Sequence, residues 1–313
     1  MRNILLIGGA GFIGSNVIRY MLRLPDQYRI FVMEPVFANV SRIETFDINI
    51  YRGELSDIDS VQSVIEINKI DTIVHLVSTL IPGSTFDDYK REFQNVIFPS
   101  IELMSLCAKR NIKFIYFSSG GTIYGNSTDK RPFKESDTLA PISYYGWSKQ
   151  MMENGIQYVH RTEGLQYLIV RPSNPYGHGQ RIHAKQGLIA VSLGKIFAGE
   201  PITVWGDGCS VRDYIYIDDL ARIMQQLIEK DVSNITLNVG SGVGTSVNDI
   251  MVELKNITEE YFDVNYVSSR KVDVANMILD TTELHQYFDL NFTSLHDGIT
   301  KFYSEIKNDY GKS

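Results

Sequence analysis

Disulfides are the first thing this chain lacks. It has two cysteines in 313 residues, Cys107 and Cys209. One falls in a helical pattern and the other in a loop, so a buried thiol and a free thiol are expected. Metal-ligand spacing is missing too: the six histidines form no His-Glu-x-x-His, and there is no Cys-x-x-Cys. No apolar run reaches the length of a membrane span, and Met1 to Gly14 reads as a strand and turn rather than a signal peptide. Lysine and arginine do not cluster, and the formal net charge is −7, which gives a nucleic-acid partner little support. A phosphorylated ligand must therefore be held locally, by single arginines and backbone amides. There is no internal repeat and no low-complexity tract. What remains is 43% hydrophobic, ample for one substantial or two coupled domains. The expectation is a soluble, cytoplasmic protein without a metal.

The N-terminus carries the first positive signal. Arg2 to Ile7 is a short apolar run, fit for a buried parallel strand. Gly8-Gly9-Ala10-Gly11-Phe12-Ile13-Gly14 follows at once, and then a helical pattern with Val17, Ile18, Met21 and Leu22 on one side. Strand, glycine turn and helix in this order make an anion site. The glycines admit a pyrophosphate, and the helix N-terminus offers unpaired N–H groups and positive potential. Gly8, Gly11, Phe12, Ile13 and Gly14 are the expected dinucleotide cradle; the bare alternative is a tight turn without a ligand. The second strand, Arg29 to Met33, ends at Glu34. An acid about 20 residues past the glycines accepts from a ribose 2′-OH and repels a 2′-phosphate, which favours NAD over NADP.

The second signal is Tyr145 with Lys149, in Ser143-Tyr144-Tyr145-Gly146-Trp147-Ser148-Lys149. Four residues apart, they share a helix face. An ammonium there favours tyrosinate and can draw the phenol down from about 10 toward neutrality. Such a tyrosine exchanges an alcohol's proton while a nicotinamide exchanges the hydride.

Between and beyond these signals, strands and helices alternate to about residue 172. Strands are expected at Ile48–Tyr51, Thr72–Val77, Lys113–Ser118 and Gln166–Val170, with helices at Ile58–Asn68, Asp87–Arg110 and Tyr145–Glu163. This is the rhythm of a doubly wound parallel α/β sheet, a Rossmann architecture. Past Arg171 the pattern loosens. A helix is expected over Gly187–Ala198, a strand, turn and helix over Tyr214–Lys230, and further segments at Val264–Ser268 and Thr293–Ile306. The division is a domain of residues 1–171 with a return segment at 213–239, and a smaller C-terminal lobe of 172–212 and 240–313.

These residues together resemble the extended short-chain dehydrogenase/reductase family, in its nucleotide-sugar epimerase/dehydratase branch. The resemblance runs through Val74-His75-Leu76, Asn95, and Ser118-Ser119-Gly120-Gly121-Thr122-Ile123-Tyr124-Gly125. It continues through Tyr145-x-x-x-Lys149, Arg171-Pro172-Ser173-Asn174-Pro175-Tyr176-Gly177 and Val211-Arg212-Asp213-Tyr214-Ile215. Arg270-Lys271-Val272-Asp273-Val274 and Leu279-Asp280 complete it. It implies Tyr145 as acid/base and Lys149 on the nicotinamide ribose. Leu76 and Asn95 fall among its cofactor residues, with Glu54 and Leu55 near adenine. Asn174, Arg212 and Arg270 would hold a sugar nucleotide's diphosphate, and guanidinium forks suit phosphate oxygens. Thr203 and Trp205 fall where the family holds the nucleobase, and Met277 at a position that separates plain from N-acetylated hexoses. Three plainer readings stand beside these: Arg212–Asp213 as an ion pair, Arg270 as a solvated charge and Trp205 as core. The smaller lobe would bind the substrate, a nucleotide sugar such as a UDP-hexose. By analogy two long helices, Asp87–Arg110 and Tyr145–Glu163, would pair into a homodimer.

Departures narrow the chemistry. Many relatives carry a catalytic Ser or Thr where this chain has Gly120, so the substrate-facing hydroxyl must come from elsewhere, first from Thr122 and next from Ser119. The family's dehydratases carry an acid at the position of Thr122, and elimination needs such a base. The implied reaction is NAD-dependent 4-epimerisation of a nucleotide sugar. The alternatives are a 4-keto-sugar reductase and a non-catalytic NAD sensor.

Overall fold

A computed structural model describes residues 1–126, 131–184, 186–269, 274–289 and 291–310. In chain order the elements are β1 (Arg2–Ile7), α1 (Phe12–Met21), β2 (Tyr28–Glu34), β3 (Asn49–Arg52), α2 (Ile58–Asn68), β4 (Thr72–His75) and α3 (Phe86–Glu92). After a π turn at Phe93–Ile97 come α4 (Phe98–Arg110), β5 (Lys113–Phe117), α5 (Tyr144–Glu163), β6 (Tyr167–Pro172), β7 (Asn174–Tyr176) and α6 (Leu188–Ala198). Then follow β8 (Ile202–Trp205), β9 (Val211–Tyr216), α7 (Ile217–Glu229), β10 (Ile235–Val239), β11 (Gly244–Ser246) and α8 (Val247–Thr258). The chain closes with β12 (Val264–Val267), β13 (Asn276–Met277), α9 (Thr282–His285) and α10 (Leu295–Tyr310).

Seven strands form the main sheet in the order β10-β6-β5-β4-β1-β2-β3, and every pairing is parallel. This is the expected Rossmann sheet. The central strands are apolar on both faces rather than alternating: Ile4, Leu5, Leu6, Ile73, Val74, Phe114 and Ile115 are all fully buried. That is the signature of a sheet covered by helices on both sides. One apolar layer joins the sheet to α1 and α7, the other to α2, α4 and α5. Strand order reverses between β1 and β4, which opens a crevice at their C-terminal ends.

The second lobe has a core of its own, built from α6, α8 and α10 around Leu193, Leu254 and Phe302. β9 belongs to a small sheet with β7, β11 and β13, while α7 and β10 rejoin the main sheet and Leu284 of α9 packs into the same apolar layer. Within the expected return segment the helix starts at Ile217, and Ile215 on β9 already packs into the core of the main sheet. The expected helix Asp87–Arg110 is interrupted. Pro99 has no N–H for the carbonyl of Asn95, four residues back, and the helix accommodates this with one π turn. Among the described residues no helix is long and apolar enough to cross a membrane, and no group of three or more His, Cys, Asp or Glu could hold a metal ion. Cys107 is buried and Cys209 exposed, both as free thiols.

Candidate active site

The glycine loop leaves β1 at the crevice. Gly8 has φ +82°, a conformation that side-chain-bearing residues rarely adopt, and a Cβ on Gly14 would lie 2.5 Å from the Gly9 carbonyl oxygen. That close approach fixes α1 against β1. Gly11 caps α1 without a side-chain hydrogen bond, and no acidic residue stands in the first turn. The helix end is thus left to an anion, as the pyrophosphate of NAD requires. Glu34 is buried and accepts from the Ala10 N–H at 2.6 Å. Burial raises its carboxyl above the usual range, against the opposing pull of that N–H and of Arg52. One oxygen of Glu34 therefore shapes the loop, a role that sequence reasoning did not assign. The other residues expected around NAD separate: Leu55 is buried in the sheet's apolar layer, Phe12, Ile13 and Leu76 are partly buried, and Glu54 and Asn95 are exposed. Asn95 stands on the π turn.

Tyr145 and Lys149 occupy the first two turns of α5, which Ser143 caps by accepting the Gly146 N–H at 3.1 Å. Lys149 is buried. Its Nζ donates to the Phe117 carbonyl at 2.9 Å and lies 5.6 Å from the centre of the Tyr145 ring. Burial lowers its ammonium to about 8, with Glu92 and Glu153 opposing. The expectation of a depressed tyrosine is corrected. Burial of the hydroxyl raises Tyr145, Glu92 adds to the rise, and only a hydrogen bond with Ser119 opposes it. The lysine is already committed to a carbonyl and cannot by itself offset desolvation.

The hydroxyls also change rank. Ser119 bonds directly to Tyr145, while Thr122 donates to Ser119 Oγ at 3.1 Å. Ser119 is thus the inner member and Thr122 the outer, the reverse of the order expected. At Gly120 a Cβ would meet Leu279 Cδ1 at 2.6 Å. The place of a side chain at 120 is filled by leucine.

Behind this loop lies a buried polar network that the sequence reading missed. Arg171 donates to both carboxylate oxygens of Glu153, at 3.0 and 2.6 Å, and to Tyr124 Oη at 2.8 Å. Tyr124 in turn donates to Asn238 Oδ1 at 2.6 Å. The network ties α5 to β6, β10 and the loop of residues 118–125. Its signal was present: Arg171 ends an otherwise apolar strand, and Glu153 follows Lys149 by one helical turn.

The substrate-lobe residues are only partly brought together. Asn174 Nδ2 donates to the Asp213 carbonyl at 2.8 Å and lies beside Gly121. Arg212, next in chain, donates to the Val211 carbonyl at 2.9 Å. The carboxylate of Asp213 is buried and accepts from Ser241 and Gly242. Thr203 and Trp205 lie on β8, and Trp205 is 47% exposed, so its reading as core falls away. Met277, expected at a substrate-discriminating position, is 1% exposed and packed in the same cluster as Ile123 and Phe133. Its thioether fills a core gap beside β9. Arg270 lies outside the described residues.

Comparison with known proteins agrees with this geometry. The model of the NAD dependent epimerase/dehydratase family matches residues 4–240. Over 97% of this chain and of the relative, the sequence is 29% identical to dTDP-4-dehydro-6-deoxyglucose reductase of Escherichia coli. It is 32% identical to GDP-6-deoxy-D-talose 4-dehydrogenase of Aggregatibacter actinomycetemcomitans, over 96% of each chain. The crystal structure of UDP-glucose 4-epimerase with UDP-glucose from Thermotoga maritima superposes with a TM-score of 0.91 at 29% identity, covering 98% of this chain and 99% of that one. With a Rossmann sheet, a glycine cradle and a Tyr-x-x-x-Lys pair at one crevice, the chain belongs to the NAD-dependent epimerase/dehydratase family and takes NAD as its cofactor.

Proposed function

We propose that this enzyme carries out reversible oxidation at C4 of a nucleotide sugar, and that its net reaction is 4-epimerisation of a UDP-hexose, plain or N-acetylated. The observation that carries the reading is the chain of Thr122, Ser119 and Tyr145, with Lys149 one turn on, at the mouth of the glycine cradle. When bound, NAD supplies the acceptor and donor of the C4 hydride. Tyr145 takes the proton from O4 and later returns it. Ser119 holds the phenol oxygen toward the substrate, and Thr122 orients Ser119. Lys149 adds positive charge on the tyrosine's helix face and reaches the nicotinamide ribose. Gly121 and Thr122 offer no carboxylate to remove a C5 proton, so the site favours hydride exchange over elimination. Asn174, Arg212 and Arg270 are the proposed diphosphate contacts, with Thr203 and Trp205 for the base. The likeness to the Thermotoga epimerase over nearly the whole chain supports this choice.

A second reading is a 4-keto-6-deoxy-sugar reductase. Two relatives that match along nearly their whole length are named for C4 redox chemistry of 6-deoxy sugars. Incubation with UDP-glucose, UDP-galactose and the two N-acetylated sugars, without added cofactor, separates the readings. C4 epimers with NAD retained are expected. Oxidation of added NADH by a 4-keto-6-deoxy sugar nucleotide, without epimers, selects the reductase, and no turnover of either kind sinks both. The enzyme is further proposed to act as a homodimer through α4 and α5, where Phe98, Trp147 and Tyr158 are exposed.

A further inference from the structure

Glu92 closes α3 and is 1% exposed. Its carboxylate accepts from Ser78 Oγ at 2.9 Å, from the Thr79 N–H at 2.9 Å and from the Thr79 hydroxyl at 2.5 Å. All three donors sit in the turn after β4. That turn reaches the crevice, since Val77 Cγ2 lies 2.9 Å from where a Cβ on Gly8 would stand. On the other side, α3 packs against the start of α5. Tyr89, one turn before Glu92, stacks on Trp147 with ring centroids 4.7 Å apart, and Trp147 lies between Tyr145 and Lys149. A buried carboxylate is costly to desolvate. This one is satisfied by hydroxyls and a backbone amide rather than by a cation, on a helix packed against the one that carries the buried Lys149.

We propose that Glu92 is a positioning residue for the C4 chemistry: it anchors the Ser78–Thr79 turn at the cofactor crevice and supplies the fixed negative charge against which Lys149 is set. The inference rests on the reading of Tyr145 and Lys149 as the acid–base pair. Other groups face that pair. Glu153, on α5, is bound to Arg171. His75, on β4, is pushed down to about 3 by burial and is neutral. Tyr116, on β5, is held protonated by burial. Ser119 contributes a hydroxyl from the catalytic loop. Glu92 thus remains as the acidic group without an arginine partner, and it acts on both Lys149 and Tyr145. Its charge favours the ammonium against the larger effect of burial and adds a smaller push to the burial that raises the phenol.

The test reads Lys149 directly, in the NAD-loaded protein, by carbon NMR of labelled lysine, with the Lys149 signal assigned by its loss in Lys149→Met. In Glu92→Gln, which keeps an acceptor for Thr79, the Lys149 midpoint should fall by about one pH unit on loss of one opposing charge that makes no direct ion pair with the ammonium. Thr79→Val keeps the charge and removes one anchor. It should weaken NAD binding and leave the midpoint in place. Glu92→Asp serves if the glutamine variant does not fold: the charge persists, and the midpoint should stay within about half a unit. An unmoved midpoint in Glu92→Gln, or an equal fall in Thr79→Val or Glu92→Asp, overturns the proposal. The readout needs no sugar. A Tyr145→Phe enzyme that still turns over would sink the acid–base reading and leave the midpoint result standing.

Discussion

Leu279 occupies the space into which a side chain at Gly120 would project, with its Cδ1 2.6 Å from the position of a Cβ there. Leu279 is itself held, since its N–H reaches the buried Asp213 carboxylate at 3.4 Å. The two residues form a size-matched pair, and the hydroxyl that relatives place at 120 cannot simply be restored. Gly120→Ser should lose about 1–3 kcal/mol of stability through overpacking and should not raise turnover. Gly120→Ser with Leu279→Ala should recover most of that loss. Thermal denaturation of both variants measures it, and a stable, more active single variant would contradict the pairing.

Removal of the phenol oxygen tests the proton's route. Tyr145→Phe should cut turnover by about two to four orders of magnitude, the usual size of a general acid–base contribution. Sugar-nucleotide binding should survive. Ser119→Ala should cost more than Thr122→Val, because Ser119 bonds the tyrosine and Thr122 reaches it only through Ser119. Steady-state kinetics of the three variants decide the order. Larger damage at Thr122 would restore the ranking expected from sequence.

Glu34 should show two effects on substitution. Glu34→Ala removes the charge that repels a 2′-phosphate, so the preference for NAD over NADP should narrow. It also strips the Ala10 N–H of its acceptor. A buried N–H left without a partner costs about 1–3 kcal/mol, so affinity for NAD itself should fall and the melting temperature with it. Titration with both cofactors separates the two. A variant with unchanged NAD affinity would mean that the loop does not depend on Glu34.

What could be read in the chain beforehand divides by range. β1, α2 and the glycine cradle follow from local periodicity and from glycines whose spacing has one physical use. The Tyr145–Lys149 pair follows from helical spacing. Three things depended on contacts far apart in sequence. The rank of Ser119 over Thr122 depends on how the catalytic loop folds across the sheet. The buried state of Met277 depends on β13 lying beside β9, where Met277 pairs in register with the distant Arg212. The raised phenol of Tyr145 depends first on its burial in the folded chain and only then on Glu92, brought in by α3. Spacing along one helix predicts that a lysine is near a tyrosine. It does not predict which carbonyl that lysine has already bonded.

The exposed aromatic face tests the assembly. Phe98, on α4, and Tyr158, on α5, are exposed beyond what a solvated helix pair requires. Phe98→Asp with Tyr158→Asp should yield a monomer by sedimentation at micromolar concentration, while the wild type sediments as a dimer. A monomeric wild type would refute the dimer outright. The proposed acid–base pair, Tyr145 and Lys149, lies on the same α5, so the dimer-breaking variant should also lose part of its turnover.

The alkaline limb of activity should report Lys149. Its ammonium is lowered to about 8 from an ordinary 10.5, chiefly by burial. The charged form therefore predominates below about 8, and turnover should fall as pH rises through that value. Stability should run the other way. Between pH 8 and 10.5 the unfolded chain holds this proton and the folded chain does not. The unfolded state then binds more protons, and stability rises with pH across that window, by up to about 3 kcal/mol. Below the window both states are protonated and the cost of burying the charge is present in full. Lys149→Met removes the titrating group, so the slope of denaturation free energy against pH between 8 and 10.5 should flatten, and the alkaline limb should vanish from whatever activity remains. Chemical denaturation at several pH values, paired with the pH–rate profile, reads both. A wild-type profile flat to about pH 10 would show that Lys149 keeps its proton when NAD is bound.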